Sequence, residues 1–260
     1  MLRESPVYRR DAFDSGLRAC GYHVERGRGA VEIRPSDVLV IWNRYGFWDD
    51  EAKKFEAAGA TVLVAENSPL GREWRGGYWY TLCRNYHNAI GHFPVGGPER
   101  WDSWDVELAP WRESGDHILV LPQRGFGAGP YKQPDDWTQR ILGWLRKRTD
   151  RPVRVRQHPG TADPRPVDHG LLADLAGAHC VVTWGSGAAL KAMLHGWPCF
   201  HGCPKWIGIP ASTELGTGSL ESPNSDNRLP MFRQLAWCMW SLPEIERGEP
   251  FKWLPAESTR

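Results

Sequence analysis

Cys180-Val-Val-Thr-Trp184, then Gly185-Ser-Gly187, then Ala188-Ala-Leu-Lys-Ala-Met-Leu-His-Gly196 is the stretch on which the fold turns. An apolar run of strand length enters a Gly-Ser-Gly turn and leaves as an Ala-rich helical segment stopped by Gly196. Pro198-Cys-Phe-His201 then reads as the next strand. Strand, helix, strand, with strands apolar on both faces, is the pattern of a parallel sheet covered by helices.

Working outward, the same alternation recurs. Ile118-Leu-Val-Leu121 is a strand, followed by the loop Gly125-Phe-Gly127-Ala-Gly129-Pro130. Residues 135–149 form a helix with Trp137, Ile141, Trp144 and Leu145 at helical spacing. Val153-Arg-Val-Arg-Gln157 alternates and runs into His158-Pro159, and a further helix falls near 168–177. Upstream, residues 10–20 read as a helix, Val38–Trp42 as a strand, Asp49–Ala58 as a helix and Thr61–Ala65 as a second strand. The intervening stretch from Ser68 to Trp111 is rich in Gly, Trp, Tyr and His and too long for a plain connection. Residues 228–242 read as an apolar closing helix. The expectation is an α/β protein of two facing Rossmann-like domains with a cleft between them. Residues 1–112 would be the first of these domains, and 113–260 the second, carrying the closing helix.

Composition bounds the partners. The 260 residues carry 32 Lys+Arg against 31 Asp+Glu, so no global field recruits nucleic acid or an anionic membrane. Six scattered cysteines without a Cys-x-x-Cys read as reduced thiols, and no apolar run reaches the length of a membrane span. A cytoplasmic protein is expected. The 15 Trp serve core packing or the stacking of sugars and bases.

In open α/β sheets ligands bind beyond the carboxyl ends of the strands. Those ends carry Asn43–Arg44, Glu66–Asn67, Gln123–Arg124, Gln157–His158 and Gly185–Ser186–Gly187. The Gly-Ser-Gly turn before a helix suits a phosphate, because unpaired N–H groups and the positive dipole end meet there; the alternative is a plain capped turn. His158, held extended by Pro159, is a phosphate ligand or a solvated side chain. Glu66 is a candidate general base or an ion-pair partner, with His92 and His87 as further bases. His195, His201 and Cys203 match no standard zinc spacing, and no metal or other cofactor is expected. The basic run from Arg140 through Arg146, Lys147, Arg148 and Arg151 to Arg156 is a solvated face or a phosphate-backbone contact.

In this order, an acidic strand end, a His-Pro and a Ser-bearing turn before an Ala-rich helix resemble GT-B glycosyltransferases that use CMP-sugars. These are the bacterial sialyltransferases and the Kdo transferases of capsule synthesis. Glu66-Asn67-Ser68 looks like their acidic motif, His158-Pro159 like their His-Pro motif and Gly185-Ser186 like their Ser-containing motif. The resemblance implies Glu66 as catalytic acid/base and His158 and Ser186 as donor-phosphate ligands. Gln123, Arg124, Gly185, Gly187 and Lys191 would complete the donor site. Two departures stand out: Asn67-Ser68 replaces the second acid and the glycine, and Lys191 stands where many GT-B enzymes have a ribose-binding Glu. The chain is also similar to short glycosyltransferase-like proteins of phages and prophages. The implied activity is transfer from a nucleotide-sugar to a hydroxyl of a glycan. The alternatives are transfer to a hydroxymethylated pyrimidine in phage DNA, with phosphate contacts from Arg146 to Arg156, and a non-catalytic nucleotide- or glycan-binding module.

Overall fold

The computed structural model describes residues 9–27, 32–86, 90–92, 95–125, 131–158, 170–221 and 227–254. The chain divides into two compact units, one of residues 1–100 and 233–260, the other of Trp101–Phe232.

In the first unit, α1 (Arg10–Ala19) precedes β1 (Val38–Trp42), α2 (Phe47–Ala57), β2 (Thr61–Asn67) and β3 (Trp79–Arg84). Late in the chain, β9 (Met239–Ser241), α8 (Leu242–Glu246) and α9 (Glu249–Trp253) return to it. The sheet order is β1-β2-β3-β9. As the sequence implies, β1 and β2 are parallel, but β3 and β9 are antiparallel to their neighbours, so this sheet is mixed. Strand β2 is buried on both faces. Its Val62 and Val64 pack with Ile41, Ala52 and Phe55 under α2, while Leu63 and Ala65 pack with Phe13, Tyr80, Trp240 and Phe251 on the other side. Glu66 continues the Val62–Val64 row by strand alternation, on the face that α2 covers.

Two expectations change here. The aromatic stretch after Ser68 contains β3, whose Trp79, Tyr80 and Leu82 are core residues, and Trp101 and Trp104 are buried as well. The closing helix ends early: α7 spans Arg228–Ala236, and Met239–Trp240 lie in β9. The terminal residues belong with the first sheet because β3 would otherwise be an open edge. Arg100 secures the return, donating from Nε to Ala236 O at 2.8 Å, from Nη1 to Glu244 at 2.7 Å and stacking over Trp240 at 4.0 Å.

The second unit contains α3 (Glu99–Asp102) at its border, β4 (His117–Leu121), α4 (Trp137–Leu145), β5 (Val153–Val155), α5 (Leu171–Leu175), β6 (Ala178–Thr183), α6 (Gly187–Leu194), β7 (Cys199–His201) and β8 (Thr213–Glu214). All strand pairs are parallel, in the order β5-β4-β6-β7-β8. Ile118, Val120, Cys180, Val182 and Phe200 pack with Trp137, Ile141 and Leu145 of α4. Counted within the unit, this order is 2-1-3-4-5, the doubly wound arrangement whose switch point lies between its first and third strands. Here those strands are β4 and β6.

Candidate functional site

Hydrogen bonds build the switch point itself. Thr183, the last residue of β6, donates its hydroxyl to Leu121 O at 2.9 Å and accepts Ser186 N–H at 3.0 Å. Gln123, two residues beyond β4, donates from Nε2 to Gly185 O at 2.7 Å, and its own N–H is taken by Gln133 Oε1 at 2.8 Å. The turn is thus tied to the neighbouring strand end from both sides. Gly185 is needed for space: a Cβ there would stand 3.2 Å from both Cys203 and Trp206. Ser186 is the N-cap of α6, its hydroxyl accepting Ala188 N–H at 3.2 Å. A hydroxyl that accepts one bond still has its proton to give. Both the capped-turn reading and the phosphate reading are therefore compatible with one serine. Gly187, Ala188 and Lys191 are half-buried and share one face of α6 by their spacing. Long helical side chains lean toward the N-terminus, which directs Lys191 over the first turn.

The parallel register brings the other predicted donor residues to the same edge. Arg124 is exposed just beyond Gln123, and His158 is half-buried three residues past the end of β5. Burial lowers the His158 pKa below the ordinary imidazole range, with Arg124 and Arg156 adding to the shift. Arg156 is paired with Asp174 at 2.8 Å. His195, one turn beyond Lys191, is likewise lowered by burial and by Lys191. His195 is the C-cap of α6, at the far end of the helix from the Gly185–Ser186 turn, so of the two imidazoles only His158 lies at the strand-end edge. Pro159 and residues 126–130 of the glycine-rich loop lie outside the described residues.

In the first unit the carboxyl ends of β1 and β2 meet. Asn43, with φ 63°, turns so that its amide nitrogen donates to Glu66 Oε1 at 2.7 Å while its oxygen accepts from Trp42 Nε1 at 3.2 Å. Glu66 is half-buried. Beside it, Arg44 is 2% exposed and bonded to Asp49 at 2.8 Å and to both oxygens of Glu56 at 2.6 and 2.8 Å. That guanidinium pins the β1–α2 turn, and Gly46, with φ 54° and ψ −134°, takes a conformation only glycine adopts readily.

His92 is not brought to Glu66. It is exposed and bridges Arg84 at the far end of β3, in register with Leu63, so about 10 Å of strand separates the two positions. His87 lies outside the described residues. A cavity of about 480 Å³ in this unit is lined by Phe13, Arg26, Val38, Trp48 and Phe55. It flanks β1 away from the strand ends and touches none of the predicted site residues, so its size does not make it the site. In the basic run, Arg140 lies 3.7 Å from Asp136, Arg148 stacks over Trp144 at 4.3 Å and Arg151 pairs with Glu221. Among the described residues no three His, Cys, Asp or Glu side chains group as a metal site, and no helix is long and apolar enough to cross a membrane.

Sequence reasoning missed Thr183 because it reads as one more residue of an apolar strand. Tyr45 and Phe47, which flank Gly46, are 49% and 47% exposed, and the Phe47 ring packs edge-on against Trp48 at 5.0 Å.

An all-parallel sheet with a braced, serine-capped turn at its switch point defines a Rossmann-like, doubly wound unit, and the fold of the chain is similar to that of GT-B-like glycosyltransferases. The similarity is to Thermosulfurimonas dismutans KpsC, beta Kdo 2,7 transferase, at a TM-score of 0.52 and 15% identity over 84% of this chain and 86% of that one. Thermosulfurimonas dismutans KpsC, beta Kdo 2,4 transferase, aligns at a TM-score of 0.49 and 12% identity, covering 75% of this chain and 78% of that chain. No protein-family profile matches the sequence, and no curated protein matches it.

Proposed function

We propose that this chain is a glycosyltransferase that binds the phosphate of a nucleotide-sugar at the β6–α6 turn and deprotonates an acceptor hydroxyl with Glu66. The observation that carries the reading is the Gln123 Nε2 to Gly185 O bond of 2.7 Å across the switch point, which holds an anion-directed turn open at the place where doubly wound sheets take ligands. The helix N-terminus, the Ser186 hydroxyl, His158 and Arg124 would receive the phosphate, and Lys191 a second anionic or hydroxyl-bearing group of the donor. As a cation, Lys191 cannot accept hydrogen bonds from ribose hydroxyls, which favours an anionic contact there.

In the transfer, the acceptor oxygen forms a bond to the anomeric carbon as the bond from that carbon to the phosphate oxygen breaks. The acceptor proton passes to Glu66, and the nucleotide leaves with the bonding electron pair, its added charge met by the N–H groups of α6. A metal ion is not invoked in this reading.

The test is turnover. Released nucleotide is measured with a panel of CMP-, UDP-, GDP- and dTDP-sugars and mixed glycan acceptors. Glu66→Gln keeps the shape of the side chain and removes the base, so transfer falls at least ~100-fold while nucleotide affinity is retained. Undiminished transfer in Glu66→Gln would remove Glu66 from the mechanism.

A further inference from the structure

Glu66 leaves the sheet on a long side chain, and a neighbour on β1 fixes where its carboxylate points. Its backbone is held between two strands: Ala65 pairs with Trp42 of β1, and Glu66 with Thr81 of β3, which is fully buried. Strand pairing sets the face of the sheet but not the torsions beyond Cα, so a glutamate held by its backbone alone samples several rotamers. Asn43 removes that choice. It is the first residue beyond β1, at φ 63°, in the left-handed region that asparagine enters more readily than most side chains. Its backbone N–H stays tied to Ala65 O at 3.4 Å, next to Glu66. Val38, Val40 and Trp42 pack with Phe13 and Tyr80 on one face of the sheet, while Glu66 continues the face that α2 covers. At the strand end the Asn43 amide reaches both faces, donating to Glu66 Oε1 at 2.7 Å and accepting from Trp42 Nε1 at 3.2 Å. Trp42 is itself placed, its ring edge-on to the fully buried Tyr80 at 6.1 Å.

The order of these bonds decides what the amide can do. An indole N–H only donates, so Asn43 must turn its oxygen to Trp42 and therefore its NH2 to Glu66. A flipped amide would set oxygen against carboxylate and N–H against N–H, losing both bonds. Bonds in a chain polarise one another, so the Trp42 donor strengthens the one that Asn43 gives. That second bond is to a charged acceptor, the stronger class, and it orients the carboxylate without adding a charge beside it. The nearby guanidinium of Arg44 does not take this place, because Asp49 and Glu56 hold it. A general base acts only from within reach of the proton, and a small error in its position is costly in rate.

We propose that Asn43, oriented by the Trp42 indole, is a positioning residue for Glu66, fixing its carboxylate in the rotamer that takes the acceptor proton. This rests on the transferase reading above, and its test has one arm that does not depend on turnover. The whole chain is labelled with 15N-tryptophan, and the Trp42 indole signal is identified as the one lost in Trp42→Phe. Asn43→Gly removes the amide at a φ that glycine adopts freely, so its Tm should stay close to that of the parent. Glu66→Gln should move the Trp42 indole proton upfield, because a neutral acceptor polarises the amide less, and should leave that signal unmoved when combined with Asn43→Gly. A Trp42 signal identical in parent and Glu66→Gln, or shifted equally with and without Asn43→Gly, overturns the proposal. In turnover, Asn43→Gly should lower kcat by about 10- to 100-fold with acceptor KM and nucleotide affinity kept. Trp42→Phe should lower kcat by less, and Asn43→Gly should add nothing in a Glu66→Gln background. An equal loss in both backgrounds gives Asn43 a role apart from Glu66 and also overturns the proposal. A parent without turnover on any donor, or full turnover in Glu66→Gln, counts against the transferase reading instead, while the indole signals still decide whether Asn43 holds Glu66.

Discussion

At Ser186 one hydroxyl caps a helix and, in the proposed reading, also donates to a phosphate, and the two roles can be separated. Its oxygen caps α6 through Ala188 N–H. Ser186→Ala removes the cap as well as the donor, so it costs about 1 kcal/mol of stability on top of any effect on ligand. Ser186→Asp keeps an N-cap acceptor but places a carboxylate where the phosphate would sit. We expect its melting temperature to stay within a few degrees of the parent while nucleotide affinity, measured by calorimetry, falls more than about tenfold; unchanged affinity would take the phosphate away from this turn. His158 makes a second residue-scale prediction. Burial together with Arg124 and Arg156 lowers its pKa, so the unliganded imidazole is neutral at pH 7. A bound phosphate favours the imidazolium and raises that pKa. Binding then takes up a proton, and affinity rises as pH falls from 8 to 6, by at most about tenfold per pH unit for one proton. Nucleotide phosphates titrate in the same range, so the comparison is with His158→Asn, whose pH dependence should be flatter. An identical slope in both proteins would exclude His158 from the site.

At the scale of elements, α6 is stopped where it must be. Gly196 has φ 87°, and a Cβ there would stand 2.1 Å from the Pro110 carbonyl oxygen. Gly196→Ala combines left-handed strain with a backbone clash and should cost about 2–4 kcal/mol, read as a drop in Tm of roughly 5–15 °C. A shift below about 2 °C would mean that the 109–112 segment moves aside readily. This glycine, the apolar runs and the Ala-rich helix were legible in the sequence because each is a local signal: a stop, a period, a propensity. The Gly-Ser-Gly turn, Gln123 and His158 were legible because strand ends in such sheets are predictable once the strands are. Strand β3 was not. Its Trp79-Tyr-Thr-Leu-Cys-Arg84 sits among aromatics and glycines, and only pairing with β2 and β9 defines it. Nor was β9, since Met239 and Trp240 continue the apolar pattern of α7 in the sequence although the Trp237–Cys238 turn has already ended the helix. Such strands are set by partners distant in sequence, which periodicity does not see.

For the whole molecule, the two units divide the chemistry of the proposed reaction. The second unit, 101–232, has the all-parallel sheet, the braced turn and the cations proposed to receive a donor. The first holds Glu66 and Asn43, and it is completed by the chain's last segment: β9 pairs with β3, and Trp240, Ile245 and Phe251 enter its core. Sequence reading assigned those last residues to the second unit because a closing helix looks alike wherever it ends. With the fold similar to a transferase but only 15% identical to it, the donor site decides the account. The deciding measurement is a thermal-shift titration of the intact chain with CMP, UDP, GDP and dTDP, repeated on His158→Ala and Ser186→Asp. The account predicts that one nucleotide raises Tm by roughly 5–10 °C at about 100 times its Kd, and that both variants lose most of that shift. No shift with any nucleotide, or a shift that both variants retain in full, would contradict it.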